Sequence, residues 1–387
     1  MKVHGRTEPL PRHRIAVVGG GINGAGIAWE LTRRGYEVTL YEKRRVGEQT
    51  SSKTTKMIHG GIRYLEHFHF GLVRESLRER AWLLEHLPRL VRPIEILLPV
   101  YSDSPRNRVT LRAGLTLYDS LAGSKNIAKH NPLSREALLE RLPLVPVGLR
   151  GGFSYWDAQV DDLALVQTVI ESARCEGATI LEETRVDAVA RNGKEWIVTT
   201  AGGEARYDLL VNAAGPWMNE LLGASGIRAR YVLSLLRGSH IVVNEPLVTI
   251  GALLQSTSDR RVFFVMPWKG ATLIGTTEQA HLESLDDVHA TDDEIDYLIA
   301  RFNRYMRVAT SRGRIVQSFA GVRPLVGRAT NPSAIGRDSH VVRDGNLINV
   351  FGGKMTTFMS LARQVAMRAD NCFGEARTAR APVFAGA

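Results

Sequence analysis

Within six positions of "KMIHGGIRYL", residues 56–65, the chain sets an imidazole (His59), a guanidinium (Arg63) and a phenol (Tyr64) around Gly60 and Gly61. Histidine titrates near neutral pH and suits proton transfer. Arginine holds anions through a fixed fork of donors. Glycines beside such groups let backbone approach a bound molecule closely. The combination suits proton transfer on an anionic ligand, and the flanking sequence must supply the elements that position it.

The first of those elements is a nucleotide site. The apolar run "RIAVV", residues 14–18, ends in "GGGINGAG" and continues into "IAWELTRRG". Gly19, Gly21 and Gly24 then read as a tight turn, a bare backbone for a pyrophosphate, and close packing of helix on strand. The helix start offers free N–H groups to phosphate. A second apolar run, "EVTLYE", ends at Glu42, 18 residues beyond Gly24, close to the offset of a carboxylate that holds an adenosine ribose. That acid favours FAD or NAD over NADP.

Two later segments choose between them. "YDLLVNAAGPWMNEL", residues 207–221, puts Ala213, Ala214 and Gly215 at the end of an apolar run, where a cofactor could pass. "LINVFGGKMTTFMSLARQVAMRA", residues 347–369, puts Gly352 and Gly353 before a helix whose positive end could face a reduced flavin. Glycine turns at the start, middle and end of one chain suit a long cofactor, FAD. Between them, residues 71–87 have helical apolar spacing, predicting a surface helix whose charged face meets solvent. Residues 178–200, "SHIVV", "RVFFVMPW" and "ATLIGTT" read as strands, with hairpin signals at "RNGK" and "WKGA".

Composition excludes several classes. With 44% hydrophobic and 23% charged residues over 387 positions, the chain is a globular protein with room for one large or two joined domains. No apolar run approaches the ~20 residues of a spanning helix, and "MKVHGRTEPLPRHR" lacks a secretory signal, so a cytoplasmic location is expected. Two cysteines, Cys175 and Cys372, rule out a disulfide framework or a Cys-based metal site, and no metal is expected. The net charge of +10 suits an anionic substrate, cofactor or membrane face. Basic residues scattered among acids, as in "RESLRERAWLLEH", argue against nucleic acid.

Taken in order, the N-terminal glycines, "TSSKTTKMIHGGIRYLE", "RGSHIVV", "IGTTE", "AGVRPL" and "VFGGKMTTF" resemble FAD-dependent glycerol-3-phosphate dehydrogenases, D-amino-acid-oxidase-like flavoproteins. The likeness runs from about residue 14 to about 365. It implies an α/β fold in which a glutathione-reductase-like FAD-binding Rossmann domain (14–85, 150–225, 320–370) interleaves with a strand-rich substrate-binding domain (86–149, 226–319), leaving 371–387 as an irregular tail. For the cofactor it implies Gly19, Gly21, Asn23, Gly24, Glu42, Thr50, Ser51, Ser52, His59, Gly60, Gly61, Ala214, Gly215, Gly353, Lys354, Met355 and Thr356. For the substrate it implies Arg63, Tyr64, Thr276, Arg323 and Lys354, because a phosphomonoester dianion needs more than one cation.

The implied reaction oxidises sn-glycerol 3-phosphate to dihydroxyacetone phosphate by hydride transfer from C2 to flavin N5. His59 or His240 is the candidate base, and Arg323 would stabilise the developing alkoxide. Some relatives of the broad fold bind flavin covalently through His or Cys, but the dehydrogenases resembled here hold FAD non-covalently. Quinone is the implied acceptor, with peripheral contact at an anionic membrane on the cytoplasmic face. Oxygen or a soluble acceptor, and a homodimer, stay open. Many family members carry a helical domain after the lysine motif, whereas 33 residues follow Lys354 here, and Glu278 stands where relatives often have aspartate. The alternatives are a 2-hydroxy acid or amino acid as substrate, or a flavin-binding partner without turnover.

Overall fold

The computed structural model describes residues 12–327 and 339–386; the expected lack of a leader concerns residues 1–11, outside the described residues. A six-stranded sheet runs in the order His340–Asp344, Leu347–Phe351, Leu209–Asn212, Arg14–Val18, Glu37–Tyr41 and Thr179–Leu181. All neighbours are parallel except the hairpin formed by the first two. The helices Ile22–Arg33, Asp162–Cys175 and Phe358–Phe373 pack together over it. Strands buried in this way need apolar runs such as "RIAVV", whose Ile15, Ala16 and Val17 are fully buried.

The second large sheet has ten strands. Val91–Tyr101 and Leu149–Val160, paired antiparallel, lie towards one edge, which Met57–Ile58 forms. Leu233–Val243 pairs with Ala271–Gly275 and Ile315–Val326 towards the other side. Side chains alternate between two apolar layers: Ile94, Ile96, Leu98 and Val100 face one, Leu97 and Tyr101 the other. The first layer takes up helices Phe70–His86 and Arg108–Ala122, the second helix Asp292–Tyr305. The mixed α/β fold with a Rossmann-type sheet is thus as the sequence implies. Residues 149–160 and 315–326, within or overlapping the segments expected to hold cofactor, are strands of the larger sheet, so the two units are stitched at the site itself.

The amphipathic helix corrects one expectation. Its charged face does not simply meet solvent: Glu79 and Arg80 are buried. Glu79 accepts from Arg363 Nη1 at 3.0 Å and Ser360 N at 3.2 Å, while Arg80 reaches Asp157. Charges at helical spacing are therefore partly interior here, because a second helix and a sheet supply their counter-charges.

Residues 374–386 are irregular but docked. Arg377 lies 4.2 Å over the Tyr36 ring and donates to the Gly35 carbonyl at 3.0 Å. The Phe384 ring is buried, 4.5 Å from Trp29. Replacing Phe384 by Ala should lower unfolding stability by about 3 kcal/mol, the usual cost of emptying an aromatic site. A urea midpoint equal to wild type would show that the docked end contributes nothing.

Candidate functional site

The cleft begins where Arg14–Val18 ends. Gly19 takes φ +108°, and a Cβ there would lie 2.5 Å from the Ala213 carbonyl oxygen. A Cβ on Gly24 would overlap the Gly19 carbonyl, so both glycines exist to let helix Ile22–Arg33 lie on the sheet. Gly21 caps that helix with backbone only, and Ile22 N donates to Ser51 Oγ at 3.0 Å. Glu42 is buried, with Oε2 accepting from Gly20 N at 2.7 Å and Oε1 from Arg44 N at 2.9 Å. A carboxylate has about four acceptor positions, so these bonds orient Glu42 and leave capacity for ribose hydroxyls.

From here a cleft of about 350 Å³ runs past the sheet's strand ends to the second sheet. Of the residues assigned to the cofactor, Gly19, Gly21, Asn23, Glu42, Thr50, Ser51, His59, Ala214, Gly215, Gly353, Lys354, Met355 and Thr356 line it. Asn23 joins the two ends of the cofactor path, since its Nδ2 donates to the Gly352 carbonyl at 3.2 Å. A long dinucleotide fits: the helix start presents backbone donors, and buried Asn23 Oδ1 and Trp217 Nε1 on the lining lack hydrogen-bond partners among the described residues. Lys43, 4.1 Å from the Trp217 ring centre and 2.8 Å from Asp286, is a cation at the Glu42 end that motif reading missed. Its position directly after the ribose acid was the available signal.

Gly24, Ser52, Gly60 and Gly61 do not line this cleft. Ser52 Oγ donates to the Glu48 carbonyl at 2.9 Å. Gly60, expected to bring backbone to the cofactor, packs against Tyr118. Its missing Cβ would overlap Tyr118 Oη, and its N donates to that oxygen at 2.9 Å. Gly61, at φ +80°, makes room for the Tyr64 ring. The glycine pair therefore folds the loop inward against Tyr118, and the side chains on either side face the cavities.

Behind the loop lies a buried polar cluster. Arg80 Nη1 donates to Asp157 Oδ1 at 2.7 Å, and Tyr118 Oη donates to the same oxygen at 2.7 Å. Burial pushes the Asp157 carboxyl up, while the adjacent Arg80 charge pulls it back. Arg80 is fully buried, and its Nη1 makes both of its bonds, to Asp157 Oδ1 and to the Trp156 carbonyl at 2.9 Å, while Nε and Nη2 have no partner among the described residues.

A second chamber, of about 110 Å³, meets the cleft at Thr55, His59, Tyr64, Thr276 and Arg323. Arg63 lines this chamber and not the cleft, whereas Lys354 lines the cleft, donating to Ser76 Oγ at 2.8 Å with its Nζ 4.5 Å over the Tyr64 ring. Gly238 makes room for Arg323, because a Cβ there would lie 2.5 Å from Arg323 Nη2. His67 and His69, which lie outside the sequence motifs, also line the second chamber.

The two candidate bases differ. His59 borders both cavities. His240 sits mid-strand opposite Gly275, whose missing Cβ leaves space for the imidazole, and it stacks on Phe319 with ring centres 5.1 Å apart. Its Nε2 is 3.0 Å from Thr55 Oγ1, and Nδ1 has no hydrogen-bond partner among the described residues. Burial first, then the Arg323 and Lys56 charges, lower its pKa to about 3. A neutral imidazole so weakly basic positions Thr55 more readily than it takes a proton near pH 7.

Among the described residues no helix is long and apolar enough to cross a membrane, and no cluster could hold a metal ion.

The family model described as FAD dependent oxidoreductase (DAO) matches residues 14–368. The chain is 40% identical over 373 residues to a D-erythritol 1-phosphate dehydrogenase of Brucella abortus, covering 93% of this chain and 74% of the relative. It is 36% identical over 402 residues to a glycerol-3-phosphate dehydrogenase of Pseudomonas aeruginosa, covering 100% and 78%. The fold matches a Bacillus halodurans glycerol-3-phosphate dehydrogenase complexed with FAD, with TM-score 0.76, 24% identity and coverage of 96% and 67%. It also matches a Mycoplasma pneumoniae L-alpha-glycerophosphate oxidase with FAD bound, with TM-score 0.79, 19% identity and coverage of 96% and 97%.

Two outcomes test the site's electrostatics. Because the His240 pKa is depressed in the fold, the unfolded chain binds the extra proton, so stability falls as pH drops from about 6.5 towards about 3. Urea midpoints against pH should lose part of that acid slope in His240→Gln; an unchanged slope would contradict the buried neutral imidazole. Asp157→Asn should cost about 3 kcal/mol of stability by leaving the Arg80 charge unpaired, and denaturant melts that match wild type would refute it.

Proposed function

The chain belongs to the DAO family of FAD-dependent oxidoreductases, and on that premise we propose that it oxidises the secondary alcohol of a small phosphorylated polyol, sn-glycerol 3-phosphate being the first candidate. The observation that carries this reading is the second chamber: Tyr64, Arg323 and His59 stand where it opens onto the cleft that fits FAD, and Arg63 lines the chamber itself. A dianionic ester requires such paired guanidiniums. A second reading, D-erythritol 1-phosphate as substrate, is favoured by the relative of that name at 40% identity.

FAD, when bound, supplies the acceptor for the substrate hydride. His59 takes the hydroxyl proton as the ketone forms, and Arg323 stabilises negative charge on that oxygen. His240 and Thr55, hydrogen-bonded at 3.0 Å, fix the wall against which the reacting carbon is placed. Gly21, Glu42 and Asn23 would hold the cofactor without a covalent bond. For glycerol 3-phosphate the product is dihydroxyacetone phosphate. Quinone or another acceptor would take the electrons from the protein, which we place in the cytoplasm, and the net charge of +10 suits contact with an anionic membrane.

Anaerobic addition of glycerol 3-phosphate or D-erythritol 1-phosphate should bleach the flavin absorbance, and the faster of the two identifies the better substrate. A flavin bleached by neither, but by a 2-hydroxy acid or an amino acid, would sink the polyol reading. Arg323→Ala should keep its flavin and lose about 10²-fold or more in kcat/KM. Normal kinetics in that variant would remove Arg323 from the site.

A further inference from the structure

We propose that Asp162, a carboxylate that borders neither cavity, is a positioning residue: it fixes Thr55 where cleft and chamber meet, and His240 leaves the Thr55 hydroxyl to donate to the oxygen of the reacting alcohol. The inference rests on the alcohol-oxidation reading above and adds how a second donor beside Arg323 is held in place.

Asp162 is fully buried at the start of helix Asp162–Cys175 and accepts from the residues on both sides of Thr55. Its Oδ2 takes Thr54 Oγ1 at 2.8 Å and Thr54 N at 3.2 Å, and its Oδ1 takes Lys56 Nζ at 2.7 Å and Leu163 N at 2.9 Å. Thr54 Oγ1 in turn accepts from Lys56 N at 3.0 Å, and Lys56 Nζ also donates to the Ser52 carbonyl at 2.7 Å. Thr55 is therefore the middle of a three-residue arc whose two ends share one carboxylate. The arc is strained, because Lys56 has φ +60°, where glycine would cost less. A buried lysine kept in that conformation shows that the clasp outweighs the strain, a balance found at functional sites.

The tautomer of His240 sets where the Thr55 proton goes. Burial, then Arg323 and Lys56, keep the ring neutral near pH 7, and a neutral imidazole carries one N–H. Nε2 lies 3.0 Å from Thr55 Oγ1, while buried Nδ1 has no partner among the described residues. A proton on Nδ1 would be a buried donor without an acceptor, which is rarer in folded proteins than an acceptor without a donor. The ring therefore holds its proton on Nε2 and donates to Thr55 Oγ1. The hydroxyl keeps its own proton for a ligand, and Thr55 borders both the cleft that fits FAD and the chamber. An alcohol that loses proton and hydride there gathers negative charge on oxygen, which a fixed donor stabilises without giving up its proton.

The test uses flavin-loaded wild type, Thr55→Val, Thr55→Ser, Asp162→Asn and the double variant Asp162→Asn/Thr55→Val, with whichever polyol phosphate bleaches wild type. Thr55→Val should lower kcat about 10- to 100-fold with KM within a few-fold, and Thr55→Ser should restore most of it. Asp162→Asn should lower kcat about 10-fold alone and less than about 2-fold in the Thr55→Val background, because both changes act through one hydroxyl. If Asp162→Asn does not fold, Thr54→Val, which cuts the same clasp and leaves the ion pair, takes its place in the cycle. Nitrogen-15 NMR of histidine-labelled protein should show His240 protonated on Nε2. A proton on Nδ1, or a Thr55→Val variant with wild-type kcat, would overturn the donor assignment while leaving the alcohol reading intact. Additive losses in the cycle would overturn the role given to Asp162, because they mark it as structural. A wild-type protein bleached by no polyol phosphate would remove both the reading and the inference.

Discussion

The ion pair between Arg80 and Asp157 is the contact on which the site's geometry depends. It ties helix Phe70–His86 to strand Leu149–Val160, and Tyr118 brings helix Arg108–Ala122 to the same carboxylate. Tyr118 also accepts the Gly60 N–H, so the turn carrying His59, Arg63 and Tyr64 hangs from this cluster. Burying an ion pair is costly unless its remaining positions are filled. Asp157 Oδ1 meets it in part by accepting from Arg80, Tyr118 and Gly60 together, whereas Arg80 Nε and Nη2 have no partner among the described residues. The arrangement gives the loop one conformation, and active groups held by a packed cluster are positioned more accurately than groups on a bare surface loop.

The same logic explains the division of labour between the sheets. The parallel sheet supplies strand ends and glycine turns, which suit phosphates and a long cofactor because backbone donors need no side chains in the way. The larger sheet supplies side chains from strand interiors, His240 and Arg323, held by two apolar layers. Cleft and chamber meet where the two sheets meet. Chemistry that needs fixed donors beside a flat cofactor is thus assembled from one unit that binds and another that walls the substrate.

Much of this was legible in the sequence, though not evenly. Gly19, Gly21 and Gly24 could be read because their spacing encodes a local structure, strand, turn and helix, and Glu42 followed from the length of one strand and helix. The packing of Gly60 was illegible because a glycine's reason lies in what occupies the vacant space, and Tyr118 is 58 residues away. Arg80 looked like part of a solvated face because helical periodicity reports which side is apolar, not whether a partner carboxylate waits across a domain. The basicity of His240 was illegible for a similar reason: burial within a sheet, with Arg323 and Lys56 near, sets its pKa, and none of these is a neighbour in sequence.

The electrostatic pattern has a further physical consequence. Cations gathered in a confined chamber repel one another, and low dielectric strengthens that repulsion as it strengthens binding. Two features limit the cost here. Arg80 and Asp157 cancel locally, so the charge behind the wall does not add to it. Glu278, buried on the lining, brings a negative charge among the guanidiniums and tempers their surplus. Guanidiniums and carboxylates are thus interleaved around the chamber. On the proposed polyol-phosphate reading, such a chamber would select less by the shape of the carbon chain than by the negative charge a ligand brings.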